Sequence, residues 1–481
     1  MDLTKATRDE LLRINAEQAQ IIAALQVQVA ALQARVRELE DRLAADSHNS
    51  HKPPSTDSAR PRPRSLRQPS DKKPGGQPGH PGQTLRLVDR PDRVIKHRPD
   101  KCAGCGTSLA YMEPTGVERR QVIDLPPLQF EVVEHRAEHI SCPCCGQSTV
   151  GTFPAEVAQP VQYGPRVQAL GVYLQAYQLL PYDRTQDLLQ DLCGTAPSTG
   201  TLQTAIERCA TQLVEPEARI KEAVRKAEVA HFDETGFYIG GKRHWLHVSS
   251  TPTLTYYGWH PNRGKAATDG LGILPEFGGR AIHDGWSTYF AYEDCEHGLC
   301  NAHHLRELTF VEEQHQQPWA TAMKDLLLTI KERVDDAKVV GRTDLDMGTL
   351  QGFEDRYRQI LSEGLVQNPP PEEPRPPGQR GRRKQSKARN LLERLSNHQP
   401  SVLAFMHDFR VPFDNSQAER DIRMVKVQQK ISGCFRSDHG ATAFCRIRSY
   451  LSTLRKQGHP MLTAIERAFT GNPLLPALVP E

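Results

Sequence analysis

The sequence predicts a multidomain α/β protein, and three of its features support this fold class. A heptad pattern near the N-terminus indicates a long helix, two C-x-x-C pairs indicate a small metal-binding module, and β-rich runs from residue 228 onward alternate with helical stretches. The 481 residues are enough for roughly three domains. Hydrophobic residues make up only 37% of the chain, so we expect part of its length to be linker.

Residues 1–46 are predicted to form a coiled-coil helix. Apolar residues recur every seven positions on two adjoining seams, Ile22, Val29, Val36 and Leu43 on one and Leu11, Leu25, Leu32 and Leu39 on the other. This pattern favours a parallel homodimer or a higher homo-oligomer, and Asn15 and Gln18 on the same seams would fix its register. The alternative is an amphipathic helix that packs on its own chain.

Residues 47–98 are predicted to be a disordered basic linker, because Pro and Gly interrupt any regular element. Between Arg60 and Lys101 there are twelve Lys or Arg against four Asp. Such cation density is typical of an arm that contacts the DNA backbone, and the alternative is an inert spacer. The residues that we expect to bind DNA are Arg62, Arg64, Lys72 and Lys73.

Residues 99–150 are predicted to be a zinc-binding domain. Cys102 and Cys105 form one C-x-x-C pair, Cys142 and Cys145 form another, and each pair is followed by Gly. Four thiolates suit tetrahedral Zn²⁺, and β-rich runs at 121–125 and 129–140 are typical of a zinc ribbon. Cys144 is a spare thiol that can replace a neighbour, and redox-active or merely buried thiols are the alternative.

Residues 160–220 are predicted to be helical. A break at Gly194 is followed by the N-cap candidates Ser198 and Thr199. A helix-turn-helix and an ordinary helical hairpin fit this pattern equally well.

The first residues lack the apolar segment of a secretory signal, and no run approaches the length needed to span a bilayer. We therefore expect a cytoplasmic protein without a membrane partner. In that compartment the eleven Cys indicate metal ligands or free thiols rather than disulfides.

The segment from residue 228 is predicted to form a mixed α/β sheet. Strands are expected at 229–239, 243–250, 254–260 and 279–289, with a helix at 265–276 and a further strand-to-helix unit at 297–308. Helices are expected over 305–365 and again to about 470, on either side of a Pro- and Arg-rich loop at 366–389. In a ribonuclease-H-like sheet the first and fourth strands lie side by side, so in such a sheet the predicted strands at 229–239 and 279–289 would be neighbours.

Three carboxylates would converge on such a sheet. Asp233 lies in the middle of the first strand, Asp284 follows the fourth, and Glu419 opens a late helix. Convergent carboxylates suit two Mg²⁺ ions, or Mn²⁺, that activate a nucleophile for phosphoryl transfer. Asp at strand ends is also often a turn cap, and the alternative ligands are Glu234, Glu307 and Asp421.

Several cations follow Glu419 in the sequence, and those that we expect to bind DNA are Arg423, Lys426, Lys430 and Arg436. The first three recur at helical spacing on the side of Glu419. They favour contact with DNA phosphates beside the metals, and a solvated charged face is the alternative.

Several blocks of this sequence resemble one family of DDE transposases, the insertion sequence 66 family. They are KPPSTDS, KKPGGQPGHPG, YGPRVQAL, HFDETGF, HDGWSTY, CNAHHLREL, PFDNSQAERDIRMVKVQQKISGCFRSDHGA and RSYLSTLRKQG, in family order over about residues 50–460. The resemblance implies a ribonuclease-H-like catalytic core at 225–465 with a helical insertion at about 305–400, a zinc-finger DNA-binding domain, a helical N-terminus and a C-terminal tail at 466–481. It also implies that the protein is associated with the bacterial nucleoid.

The resemblance places Asp233, Asp284 and Glu419 on the catalytic triad. Lys426 matches the Lys or Arg that follows the family's Glu after six residues. Asn415 and Ser416 stand where the family often has two Asn, a change that leaves the triad intact.

Two further groups lie near these blocks. Cys300, His303 and His304, with Cys295 nearby, are candidates for a second zinc site, although a role beside the active site is favoured. Trp286 and Tyr289 would either stack on an unpaired base or belong to the core.

These features together predict a transposase that binds terminal inverted repeats, cleaves at the ends of its element and joins them to target DNA, with Mg²⁺, Zn²⁺ and accessory proteins of the element as partners. The alternatives are a zinc-dependent DNA-binding repressor without catalysis and a nuclease that does not join strands.

Overall fold

The computed structural model describes residues 7–50, 85–370 and 385–477. Its α-helices are α1 (Arg8–Ala44), α2 (Pro165–Val172), α3 (Tyr182–Cys193), α4 (Thr199–Gln212), α5 (Val214–Arg225), α6 (Lys265–Leu271), α7 (Asn301–His315), α8 (Pro318–Val339), α9 (Met347–Gln367), α10 (Lys387–Asn397), α11 (Gln399–Val402), α12 (Ala404–His407), α13 (Ser416–Ser432), α14 (Asp438–Lys456) and α15 (Met461–Phe469). Its strands are β1 (His139–Ser141), β2 (Ser148–Val150), β3 (Val229–Ile239), β4 (Lys242–Ser250), β5 (Thr255–His260), β6 (Arg280–His283) and β7 (Glu296–Leu299).

The heptad segment forms one helix, α1, which begins with a capping box between Thr7 and Glu10. Both apolar seams lie on its exposed surface; Leu32, for example, is 66% exposed. Near the end of the helix, Asp41 contacts His315 on α7 through its side chain and Lys387 on α10 through its carbonyl oxygen.

The segment that carries the two Cys pairs contains less β-structure than the sequence predicts. The expected strand at 121–125 is absent from the described residues, and of the one at 129–140 only the end is present, in β1. β1 pairs with β2, on the far side of the second Cys pair. Residues 121–138 contain β-branched residues but have no neighbouring strand, and a β propensity without a pairing partner does not make a strand.

Helices α2 to α5 occupy the region that the sequence predicts to be helical. Gly194 ends α3 with a φ of 73°, and Ser198 caps α4 by accepting a hydrogen bond from the backbone of Thr201, so the predicted break and one of the two predicted caps are present. A π-helical turn at Tyr173–Tyr177 follows α2. This region shares a hydrophobic core with α14 and α15, and α15 runs through the boundary placed at residue 465.

A five-stranded mixed sheet in the order β5-β4-β3-β6-β7 forms the centre of the second half of the chain. β3, β4 and β5 form an antiparallel meander, whereas β6 and β7 join β3 in parallel. α14 covers the edge strand β5, because Ser449 and Thr453 accept hydrogen bonds from the β5 backbone. The first and fourth strands of this sheet therefore lie side by side, as the sequence analysis expects.

Helices pack on both faces of the sheet. Alternation along β3 places Phe237 against α13, beside Ile422 and Val425, and places Phe232 on the opposite face, in the cluster that includes Val224 of α5. The same alternation puts Asp233 on the α13 face and Glu234 on the other. Helices α7 to α12 are inserted between β7 and α13 and have a core of their own around Trp319.

The fourth strand is shorter than predicted. β6 ends at His283, because Gly285 adopts a φ of 91° and the amide of Trp286 bonds to the carboxylate of Asp284. The chain therefore turns immediately after the strand. No helix of the described residues is long and apolar enough to cross a membrane.

Candidate active site

Asp233 and Asp284 lie at the point where two parallel strands separate. The register between β3 and β6 ends with His231 opposite Ile282. Two further residues along each strand would place Asp233 opposite Asp284. The backbone amide of Glu234 donates a hydrogen bond to Asp233 at 2.9 Å, which orients that carboxylate.

Glu419 approaches these aspartates from the first turn of α13. Asn415, which precedes the helix, is buried and attaches it to β3: its amide nitrogen donates to the carbonyl of Phe232 at 2.8 Å, and its amide oxygen lies 2.9 Å from Nδ1 of His231. The helix that carries Glu419 is thereby fixed next to the strand that carries Asp233.

The three carboxylates are close enough for their charges to affect one another. Burial raises the pKa of Asp233 well above its usual range, and the negative charges of Glu234 and Asp284 raise it further. Glu419 adds to the same repulsion. Burial also raises the pKa of Glu419. Carboxylates that repel one another in this way suit divalent metal ions with a preference for oxygen ligands. In the described structure the oxygens of Asp233, Asp284 and Glu419 do not all lie within 4.8 Å of one another.

The alternative third carboxylates are engaged elsewhere. Asp421 forms an ion pair with Lys456 at 2.8 Å and accepts a hydrogen bond from Thr255. Glu307 is paired with Arg394 of α10. Of these helical carboxylates, Glu419 is the one whose charge raises the pKa of Asp233.

Glu234 has a network of its own on the opposite face of β3. Its side chain is 2% exposed, accepts a hydrogen bond from Tyr289 at 2.5 Å and pairs with Arg263 at 2.6 Å. Arg263 lies between the rings of Trp245 and Trp286. Arg263 and Trp245 lie in no motif of the sequence, and no local pattern shows that these distant residues share a face.

The two aromatic candidates differ in their surroundings. Tyr289 is 2% exposed and bonded to Glu234, so of the two alternatives that the sequence leaves open for it, the core role is the one that the structure shows. Trp286 is partly exposed and stacks on Arg263.

The predicted DNA-binding cations of α13 are exposed, and so is Arg436 beyond it. Lys426 extends to β3, where its ammonium group donates to the carbonyl of Gly236. Burial lowers the pKa of Lys426, and the guanidinium of Arg243 lowers it further. Arg243 is thus a second cation at this place that the sequence analysis does not identify. Arg62, Arg64, Lys72 and Lys73 lie outside the described residues, as does most of the basic loop at 366–389.

The block around Cys300 lies beside Glu419. Nδ1 of His303 is 3.8 Å from Oε1 of Glu419. His304 instead bonds to Asn301, and Cys295 donates to the carbonyl of Tyr292. The fold does not assemble the predicted set of Cys300, His303 and His304, because consecutive residues on a helix point in different directions.

The two C-x-x-C pairs fold into equivalent turns. Gly106 and Gly146 adopt φ values of 76° and 73°, and each amide donates to the carbonyl of the first Cys of its pair. Hydrogen bonds from Thr107 lower the pKa of the Cys105 thiol, and those from the Cys145 and Cys144 amides lower the pKa of Cys142. Hydrogen bonds from amides and hydroxyls stabilise the thiolate form of Cys, which is the form that binds zinc. Within residues 85–370 the four thiols are not gathered into one cluster, so each turn presents half of the donor set.

Comparisons with known families agree with these features. The zinc-finger binding domain of transposase IS66 matches residues 99–146, which supports Zn²⁺ as the metal of the two turns. A family of unknown function (DUF6444) matches residues 4–86. A comparison with curated proteins gives no match. The Transposase IS66 family matches residues 160–443, more than half of the chain, including the sheet and the three carboxylates. The chain therefore belongs to the IS66 family of DDE transposases, which supports DNA binding and a divalent metal for this protein.

Proposed function

We propose that this transposase cleaves DNA at the ends of its element and joins them to target DNA, with Asp233, Asp284 and Glu419 as ligands of two Mg²⁺ ions. The observation that carries the proposal is the β3–β6 register, which would bring Asp233 opposite Asp284 when extended by two residues, together with the contacts by which Asn415 attaches the helix of Glu419 to β3. A sheet in the order β5-β4-β3-β6-β7, with carboxylates after β6 and within β3, also supports a ribonuclease-H-like core.

The bound ions would activate the attacking oxygen and stabilise the leaving oxygen of an in-line displacement. In the cleavage step, water attacks a phosphorus atom at the element end, the bond from phosphorus to the 3′-oxygen breaks, and a 3′-hydroxyl and a 5′-phosphate result. In the joining step, that 3′-hydroxyl attacks a phosphorus atom of the target and displaces a target 3′-oxygen.

The residues of the chain hold and position the reacting strand. Asn415 keeps Glu419 aligned with Asp233 through its contacts with β3. The side chains of Lys426 and Arg243 lie close together beside the part of β3 that extends beyond its pairing with β6. Their charges would neutralise the scissile phosphate. Arg423, Lys430 and Arg436 would extend this contact along the DNA.

Other parts of the chain would select and assemble the DNA. The zinc domain, with Cys102, Cys105, Cys142 and Cys145, would recognise the terminal inverted repeats, and the basic linker would hold the DNA backbone. α1 would pair with a second copy, because its apolar seams lie exposed along its length. Such a dimer would bring two element ends together.

One experiment tests the proposal and its alternatives. The protein is incubated with Mg²⁺, a labelled terminal repeat and a supercoiled target, in the presence of the element's accessory proteins. We expect nicked ends and joined products. Nicks without joined products would indicate a nuclease, and binding without nicks would indicate a repressor.

The variant Asp233→Asn should abolish both products and retain DNA binding. Asp294→Asn is a matched control, because Asp294 is an exposed aspartate outside the carboxylate group. Cleavage that survives in Asp233→Asn would overturn the assignment of the triad.

A further inference from the structure

A cluster of unlike metal donors lies at the edge of the candidate active site. Cys300 precedes α7, His303 lies in its first turn, and Glu419 lies in the first turn of α13. Their sulfur, nitrogen and oxygen donors all lie within 4.8 Å of one another. In the part of the chain that the structure describes, this is the cluster in which three such donors meet.

These donors differ chemically from those of the carboxylate group. Mg²⁺ prefers oxygen ligands in octahedral geometry, whereas Zn²⁺ accepts thiolate, imidazole and carboxylate together in a tetrahedron. The backbone amide of Asn415 donates a hydrogen bond to Sγ of Cys300 at 3.1 Å. Burial and the charge of Glu419 nevertheless raise the pKa of this thiol to about 12, so a metal ion has to displace its proton. Three protein ligands leave a fourth position for water.

We propose that Cys300, His303 and Glu419 form a second zinc site, separate from the C-x-x-C turns, and that Zn²⁺ bound there inhibits the transposase. Binding replaces the proton of the Cys300 thiol, which passes to solvent, and the sulfur becomes a zinc ligand. Glu419 cannot serve both sites fully, so zinc on this cluster withdraws it from Asp233 and Asp284. The inhibition rests on the proposed function, whereas the zinc binding does not.

Zinc binding is tested first, by the metal content of the full-length protein after equilibration with Zn²⁺ and removal of free metal. We expect about two equivalents per chain for the wild type and about one for Cys300→Ser and for His303→Gln. Cys295→Ser is the matched control, because Cys295 is another buried thiol, bonded to Tyr292 and not part of the cluster. It should retain about two equivalents, and circular dichroism shows whether each variant is folded.

The binding result is decisive in either direction. One equivalent in the wild type, or two in both Cys300→Ser and His303→Gln, would overturn the site. A variant that does not fold is replaced by Cys300→Ala or His303→Ala, for which the same loss of one equivalent is expected.

Inhibition is tested by adding Zn²⁺ at fixed Mg²⁺ and measuring cleavage of the labelled terminal repeat relative to each protein's own zinc-free rate. We expect Cys300→Ser to require at least about 10-fold more zinc than the wild type for half inhibition. Equal inhibition of both proteins would overturn the inhibitory role. A wild type that binds two zinc ions but does not cleave would contradict the proposed function and leave the second zinc site supported.

Discussion

The amide oxygen of Asn415 lies 2.9 Å from Nδ1 of His231, and this contact joins the helix of Glu419 to the strand of Asp233. The same side chain donates to the carbonyl of Phe232, one residue before Asp233. Both partners belong to β3, so this buried amide holds the N-terminal end of α13 against that strand, in addition to the packing of Ile422 and Val425 on Phe237.

Asn415→Ala should therefore impair catalysis more than DNA binding. A displacement of Glu419 by about 1 Å would lower the cleavage rate by about 10²-fold. Loss of the partners of His231 and Phe232 should also lower the free energy of unfolding by about 1–3 kcal/mol. Cleavage kinetics and chemical denaturation measure these two effects. Ser416→Ala, at the neighbouring position, is the control, and an Asn415→Ala variant with wild-type cleavage would contradict the positioning role.

The raised pKa of Asp233 predicts that this residue lowers the stability of the metal-free protein. A carboxylate whose pKa is higher in the folded state than in the unfolded state binds more protons when folded. Such a carboxylate therefore contributes to stability at a pH below its pKa in the unfolded state. This contribution is lost as the pH rises through its pKa in the folded state. At neutral pH, Asp233→Asn should raise the melting temperature in EDTA by about 2–4 °C for each kcal/mol of repulsion that it removes.

The same variant should lose the stabilisation that divalent ions confer on the wild type, because it lacks a metal ligand. Thermal melts with EDTA and with Mg²⁺ at neutral pH measure both effects. Asp294→Asn should melt like the wild type under both conditions. A lower melting temperature of Asp233→Asn in EDTA, together with an unchanged response to Mg²⁺, would contradict the metal site.

The sequence predicts the chemistry of the site better than its surroundings. Asp233, Asp284 and Glu419 fall in short blocks whose secondary structure follows from local pattern. The predicted adjacency of β3 and β6, the strands of the two aspartates, is present in the structure. The roles of Arg263 and Trp245 cannot be predicted from local sequence pattern, because the contacts among these residues, Glu234 and Trp286 arise only from tertiary packing. Local pattern carries no information about which distant side chains share a face of a sheet.

The same limit explains why two predicted strands are absent or incomplete and a third is shorter than predicted. Residues 121–138 have the composition of strands, but pairing decides whether a strand forms, and the described part of this segment offers no partner. β6 ends early because a single glycine conformation and one side-chain hydrogen bond turn the chain at Asp284. The turn that shortens the strand also orients that carboxylate.

Tyr289→Phe tests the network around Glu234. The hydroxyl donates to a buried carboxylate, and removing a hydrogen bond to a charged group should cost about 1.5–3 kcal/mol of unfolding free energy. Chemical denaturation measures this loss. Tyr238→Phe is the matched control, because Tyr238 is 48% exposed on the same strand as Glu234. Equal stability of the two variants would show that the hydroxyl contributes nothing.

Lys426→Ala should weaken DNA binding without removing the metal ions. Lys426 lies beside Arg243 at β3 and is not one of the carboxylate ligands. The loss of one phosphate contact should reduce the salt dependence of DNA binding by about one unit of slope in a log–log plot. Fluorescence anisotropy over a series of salt concentrations measures the slope. Lys226→Ala changes an exposed lysine directly after α5 and should leave the slope unchanged. The same slope for both variants would contradict a phosphate contact by Lys426.

A charge on the apolar seam of α1 should separate the proposed dimer. Leu32 is 66% exposed in the single chain, so Leu32→Asp leaves the fold of one copy unaffected but places a carboxylate in the seam between two copies. Light scattering should then give about half of the wild-type mass. Ala31→Asp is the matched control, because position 31 lies outside both heptad seams and its substitution adds the same charge to the same turn. A mass that is unchanged by Leu32→Asp would favour the alternative of a helix that packs on its own chain. If both variants dissociate equally, the cause is the added charge on the helix and not its position in the seam.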